Sequence, residues 1–204
     1  MSKSYKLILA VFLVCLGLLL TACQGEKNEK EDAEVPEKTA KAPTWEGQLL
    51  KELPVLGHRN WLVVADSAFP AQISPGMEVV VSNDDHFAVL EKVLHALGQS
   101  KHIRPIVYLD KELDFVPEDL APGIDACRKR IKDMLSRYGT KTVLHQELIA
   151  RMDQVAKTFR ILMIKTNLTL PYTTVFMEFD CGYWGPEAEA KMREKMKEDK
   201  KEQS

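Results

Sequence analysis

Five consecutive apolar residues, Trp61-Leu62-Val63-Val64-Ala65, lie between a Gly57-His58 bend and a polar loop that Asp66 opens and Pro70 closes. A run this short, punctuated on both sides, is too brief for a buried helix and fits a buried strand. In an open α/β sheet, ligands gather just beyond the carboxyl ends of the strands. Asp66 occupies such a position, which makes residues 56–72 the first candidate for the chemistry of the chain. His58 lies on the approach to the same strand, so within one chain it and Asp66 fall at opposite ends.

The rest of the folded part alternates in the same way. Trp45, Leu49, Leu50 and Leu53 recur at helical spacing before the strand, and residues 78–81 form a second β-branched run after it. Asn83 or Asp84 is placed to cap a helix running to about Leu97, with Phe87, Leu90, Val93, Leu94 and Leu97 inward. Residues 103–109 read as a strand whose start Pro105 pushes toward an edge or a bulge. A loop over residues 110–122 follows. Next come a helix over 124–138 ended by Gly139, a short strand at 142–144 and a helix over 145–157 with Leu148, Ile149, Met152 and Val155 inward. Strands at 159–164 and 174–179 complete the pattern. Strands alternating with helices predict a single α/β domain with a largely parallel sheet flanked by helices. That domain is placed at residues 44–185, followed by a charged tail at 186–204 that carries a thin Ala188, Met192, Met196 stripe.

The N-terminal residues have a different character. Lys3 and Lys6 precede an apolar run of about fourteen residues ending at Leu20, shorter than the roughly 20 a spanning helix needs but suited to a signal peptide. Leu20-Thr21-Ala22-Cys23 has the layout of a bacterial lipobox. Residues 1–22 are therefore expected to be removed, leaving Cys23 lipidated at the mature N-terminus. Residues 23–43, rich in Glu, Lys, Asp and Ala, cannot bury enough apolar surface to offset ordering entropy and read as a tether. Some 20 flexible residues reach roughly 25 Å. The expected location is the cell envelope, anchored by lipid on an outer membrane facing the periplasm or on the cell surface. Cys127 and Cys181 remain in the body and are expected to be buried free thiols.

Charge is nearly balanced, with 28 basic and 30 acidic residues, so nothing in the bulk electrostatics points to nucleic acid. The sequence has no Walker loop, dinucleotide glycine fingerprint, CxxC, HExxH or Gly-x-Ser-x-Gly elbow. His86, His95 and His102 fall in or beside the second helix with no partner at metal-ligand spacing, and read as surface or helix-face histidines.

Leu56-Gly57-His58 followed by Val63-Val64-Ala65-Asp66-Ser67-Ala68-Phe69-Pro70 closely resembles the opening motif of the D-ribose pyranase and L-fucose mutarotase family. There a Gly-His pair is followed eight residues later by Asp and then by a small-aromatic-Pro turn. Leu170-Pro171-Tyr172-Thr173-Thr174-Val175 resembles the family's Tyr-x-Asn entry into its last strand. The resemblance covers about residues 46–183. It differs at two positions: Thr174 stands where the family has Asn, and Asn60 where it has an acid.

The resemblance implies interconversion of sugar ring or anomeric forms without a metal or organic cofactor. Opening a hemiacetal needs a base for the anomeric hydroxyl proton and an acid for the ring oxygen, and imidazole serves either role near neutral pH. It further implies that His58 is the general acid/base and Asp66 its charged partner or a sugar ligand. Tyr172 and Thr174 would contact the sugar. His145 would too, sitting in a similar place to a further histidine of ribose-type members. Members assemble as rings, often decameric, with sites at subunit interfaces, which would let His58 and Asp66 of different copies meet. Two other readings stay open: a sugar- or small-ligand-binding lipoprotein without turnover, and a scaffolding oligomer that retains the fold.

Overall fold

A computed structural model describes residues 44–202. The expected signal segment, the Cys23 anchor and the tether lie outside the described residues. Among the described residues, no helix is long and apolar enough to cross a membrane.

The first helix, α1 (Trp45–Glu52), starts where the Thr44 hydroxyl accepts the Gly47 N–H. Then come β1 (Trp61–Ala65), β2 (Met77–Val81), α2 (His86–Gln99), β3 (Ile103–Asp110), α3 (Ile124–Leu135), β4 (Lys141–Val143), α4 (His145–Val155), β5 (Ile161–Lys165), β6 (Val175–Cys181) and α5 (Pro186–Glu202). The six strands form one sheet in the order β2-β5-β1-β6-β3-β4. β2, β5 and β1 run parallel, as do β3 and β4, while β6 runs antiparallel to both of its neighbours, β1 and β3. The α/β fold with a largely parallel sheet is therefore what the molecule has, with β6 as its single reversed strand.

Both faces of the sheet are covered, unequally. Leu62 and Val64 of β1 pack with Leu49 of α1, Val89, Leu90 and Val93 of α2, and Ile124, Ile131 and Leu135 of α3. Trp61, Val63 and Ala65 point the other way and meet Leu148 and Met152 of α4. This explains the unbroken apolar run in β1, since a strand covered on both faces has no solvent-facing position to fill.

Four local readings are sharpened or corrected. The cap of α2 is Asp85, whose carboxylate accepts the N–H groups of Phe87 and Ala88, not Asn83 or Asp84. Asp84 accepts the indole N–H of Trp45 at 2.7 Å instead, and Asn83 takes a left-handed φ of 57°. Pro105 is tolerated because β4 pairs β3 only from Tyr108 onward, so the strand is locally an edge at the proline. The 110–122 loop opens with a 3₁₀ turn, Lys111–Phe115. Both body cysteines are free, but Cys181, at the exposed end of β6, is only half-buried, unlike Cys127.

Candidate functional site

The direction of each strand sorts the polar residues into two groups. At one edge of the sheet lie the carboxyl ends of the five like-directed strands and the amino end of β6. This edge collects Asp66 after β1, Thr166 after β5, Asp110 at the end of β3, His145 after β4, His86 after β2, and Tyr172 to Thr174 before β6. The opposite edge collects His58, Arg104 and Asp180. The five residues of β1 span roughly 17 Å, so His58 and Asp66 of one chain cannot share a ligand atom.

Asp66 is buried and held from three sides. Its Oδ2 accepts the Thr174 hydroxyl at 2.8 Å, its Oδ1 accepts the Ala68 N–H at 3.0 Å, and its own N–H donates to Thr174 Oγ1 at 3.2 Å. Thr174 is fully buried, and its one hydroxyl proton is committed to the carboxylate. In this chain it positions Asp66, where the longer Asn of the resembling family would supply both a donor and an acceptor. The turn beyond Asp66 is pinned by Lys165, whose ammonium donates to the Phe69 carbonyl at 2.7 Å.

His145 lies across this edge at the start of α4. Both Glu112 carboxylate oxygens accept its backbone N–H, at 3.0 and 3.1 Å, stabilising the helix N-terminus. Its ring stands edge-on between Phe69, with centroids 5.8 Å apart, and Tyr172, at 5.4 Å. Nδ1 lies 3.1 Å from Oδ1 of Asp110, whose side chain is fully buried. Burial pushes the Asp110 carboxyl up to about 6, against the pull of His145, and Glu112 and Asp66 push it the same way as burial. Tyr172 holds a left-handed φ of 59°, a conformation that costs a non-glycine residue energy and is kept only where its surroundings fix it. A cleft of about 430 Å³ opens beside it, walled by Phe115, Leu120, Leu144 and Pro171.

His86 is fully buried rather than at the surface. Its Nδ1 lies 3.0 Å from Thr166 Oγ1, whose hydroxyl proton goes to the Ala65 carbonyl at 2.9 Å. The ring must then donate through Nδ1, leaving Nε2 as a buried lone pair without a partner. Burial holds its pKa down at about 4, against the opposing pull of Asp66 and Asp85.

At the far edge, His58 Nδ1 lies 3.2 Å from Asp180 Oδ1, and Arg104 grips the other oxygen of Asp180 through Nε and Nη2 at 3.0 and 2.5 Å. The Arg104 hydrogen bonds hold the Asp180 carboxyl below its usual range. The His58 side chain is 56% exposed, so the ring projects outward with its tautomer set by a carboxylate. Asn60 has a separate task, its Oδ1 accepting the Gly57 N–H at 2.7 Å and closing the turn that carries His58. An acid beside His58 is thus supplied from β6, although the position three residues after Gly57 holds Asn.

Neither a family model nor a curated protein matches the chain. Among solved structures it is similar to Bacillus subtilis RbsD complexed with D-ribose, at 18% identity over 71% of this chain and 98% of that one, with a TM-score of 0.49. It is also similar to a fucose mutarotase from Streptococcus pneumoniae in complex with L-fucose, at 16% identity, 68% and 93% coverage and a TM-score of 0.47. For FucU from Bifidobacterium longum the values are 23%, 68%, 95% and 0.45. The likeness is one of chain outline, and no residue role passes from those proteins to this chain.

Of the residues singled out in the sequence, Asp66, Thr174, Tyr172 and His145 share one edge and His58 stands alone at the other. Asp110, His86, Thr166, Arg104 and Asp180 were not singled out for the site. Asp110 carried a usable signal, since it ends an apolar strand just as Asp66 follows one. Asp180 carried none, because only the reversed course of β6 brings it to His58. Among the described residues no cluster of three or more His, Cys, Asp or Glu side chains is placed to hold a metal ion.

Proposed function

We propose that this protein interconverts ring or anomeric forms of a monosaccharide by acid/base catalysis, in a site closed between two copies of the chain. The observation that carries the reading is the separation of two halves. One edge presents Asp66, His145 and Tyr172, with a cleft opening beside Tyr172, and the other projects an exposed imidazole already oriented by Asp180. The resemblance of the Gly57-His58 and Asp66 to Pro70 segments to the ribose pyranase and fucose mutarotase motif supports the same chemistry.

One group removes the proton from the anomeric hydroxyl while another protonates the ring oxygen. The bond between the anomeric carbon and the ring oxygen then breaks to give the open-chain carbonyl form. A hydroxyl adds back to the other face, or a different hydroxyl adds, and the two protons return. In this reading His58 of a neighbouring copy is one of the two proton-transfer groups, Asp66 binds sugar hydroxyls and Tyr172 covers the sugar. A homo-oligomeric ring, decameric in the family the sequence resembles, is the assembly that brings the halves together. The proposal extends to the cell envelope, with Cys23 carrying the lipid of the Leu20-Thr21-Ala22-Cys23 lipobox.

Exchange NMR on a panel including ribose and fucose tests it, with the full-length chain in detergent micelles. Acceleration that is lost in His58→Ala and in Asp66→Asn, and partly regained when the two variants are mixed and reassembled, is the expected result. A light-scattering mass of one chain, or no acceleration of any sugar, refutes it. The distance between His58 and Asp66 within a single chain favours the second reading, a lipoprotein that binds a sugar without turnover, and binding without acceleration would select it. For the anchor, Cys23→Ser is expected to leave the membrane fraction, and its retention there would refute lipidation at Cys23.

A further inference from the structure

We propose that Asp110 is the positioning carboxylate of His145, making His145 a second acid/base group of the site beside the one assigned to His58. The proposal rests on the sugar-interconversion reading for its chemistry and on the geometry of one chain for the pair itself.

A buried carboxylate is normally wrapped in donors, because an unpaired one loses its hydration without return. Asp110 is 1% exposed, and neither of its oxygens has a well-aligned hydrogen-bond partner. Nδ1 of His145 lies 3.1 Å from its Oδ1 and is itself buried. The approach is off the line of a good hydrogen bond, a geometry that catalytic pairs show before substrate tightens them. Such an arrangement does little for stability. Perturbed, poorly solvated carboxylates of this kind cluster at functional sites.

The division of labour around His145 is specific. Glu112 takes the backbone N–H and fixes where α4 begins. Phe69 and Tyr172 stand at 80° and 85° to the imidazole and fix its plane. Asp110 faces Nδ1. A quarter of the His145 side chain stays exposed while Nδ1 is closed off, which leaves Nε2 as the ring nitrogen open to a ligand. With the proton on Nδ1 directed at Asp110, Nε2 carries the lone pair and accepts a proton from a sugar hydroxyl. His58 of the neighbouring copy protonates the ring oxygen, Asp110 stabilises the imidazolium formed at His145, and both protons return on re-closure.

Other charged groups surround the pair. Glu112 and Asp66 add negative charge, Lys165 is tied to the Phe69 carbonyl, and Arg151, one and a half turns along α4, lies over the Tyr108 ring. Burial raises the Asp110 carboxyl, and the neighbouring His145 pulls it back down.

Nitrogen-15 spectra of histidine-labelled full-length protein in micelles test the pair without any turnover. In the unsubstituted chain His145 is expected mainly as the Nδ1–H tautomer. In Asp110→Asn the Nδ1–H to Nε2–H ratio is expected to fall by about tenfold. Glu112→Gln, which weakens the backbone cap and removes a charge near Asp110 but keeps the Asp110 carboxylate facing Nδ1, is expected to leave Nδ1–H the main tautomer. An unchanged tautomer in Asp110→Asn, or an equal shift in Glu112→Gln, overturns the proposal. Should Asp110→Asn fail to fold, the unsubstituted chain still decides, since finding His145 mainly as the Nε2–H tautomer also overturns it. Where exchange is measurable, Asp110→Asn is expected to slow it about a hundredfold and to move its acidic limb. A tautomer shift with no exchange in any variant refutes the sugar reading and leaves the pair standing.

Discussion

Replacing Asp110 by Asn is expected to stabilise the protein at neutral pH and to do nothing for it in acid. Burial raises the Asp110 carboxyl from its usual 3.8 to about 6. Because the folded value exceeds the unfolded one, the folded state holds the proton more tightly. The associated stability is present below about pH 4 and lost as pH rises through about 6. Two units at 1.36 kcal/mol each make that loss about 3 kcal/mol. Asn cannot ionise, so it escapes the loss, and any packing cost of the amide is the same at every pH. The quantity to read is therefore the stability of Asp110→Asn minus that of the unsubstituted chain, at pH 8 and again at pH 4. Its rise between the two is expected to be about 3 kcal/mol, or a melting-temperature difference of roughly 6–12 °C for a domain of this size. Subtraction matters because His86 works the other way. Its folded pKa is depressed to about 4 by burial, so its contribution is present above about pH 6.5 and disappears as pH falls through 4. The two slopes largely cancel in the unsubstituted protein and separate only in single variants. Parallel stability curves for Asp110→Asn and the unsubstituted chain would show that Asp110 ionises in the folded state without penalty.

His86→Gln removes the opposing slope, so the variant is expected to lose stability more steeply than the unsubstituted chain as pH rises from 4 to 6.5 in the same melts. Thr174→Val removes the hydroxyl that both donates to and accepts from Asp66. It is expected to cost about 2 kcal/mol in urea unfolding, with Thr174→Ser recovering most of it. Gly76→Ala would drive a Cβ into the carbonyl oxygens of Phe159 and Ala156, both fixed backbone, and is expected to cost about 3 kcal/mol or more. By contrast, a Cβ at Gly57 meets nothing within 4 Å among the described residues, so Gly57→Ala is expected to change stability by less than about 0.5 kcal/mol. Any loss of exchange in that variant would then report the approach of a neighbouring copy to the His58 turn.

The elements of the fold were legible because both sheet faces are covered. Continuous apolar runs such as residues 61–65 and helix stripes such as Val89, Leu90, Val93 and Leu97 follow directly from that covering. What the chain order could not show was tertiary choice among equivalent residues. Four polar residues, Ser82 to Asp85, precede α2, and it is Asp85 that caps it, while Asp84 is taken by Trp45 and Asn83 turns left-handed. Half of the candidate site was legible by the strand-end rule, which picks out Asp66 and, applied evenly, Asp110. His86 escaped because a histidine at a helix start looks the same whether α2 turns it outward or buries it against Thr166.

The least legible feature is also the one that ties the two candidate half-sites together. β6 is the only strand that runs against its neighbours, inserted between β1 and β3. Its entry supplies Thr174 to Asp66, and its exit supplies Asp180 to His58. A parallel strand in that slot would have put Thr174 near His58 and Asp180 near Asp66, placing two carboxylates together and leaving the imidazole without an acid. Reversal thus assigns each half its orienting partner while fixing the halves a strand length apart, a distance no side-chain movement closes. If both halves serve one reaction, they must come from different copies, which makes assembly a condition of activity and not an addition to it.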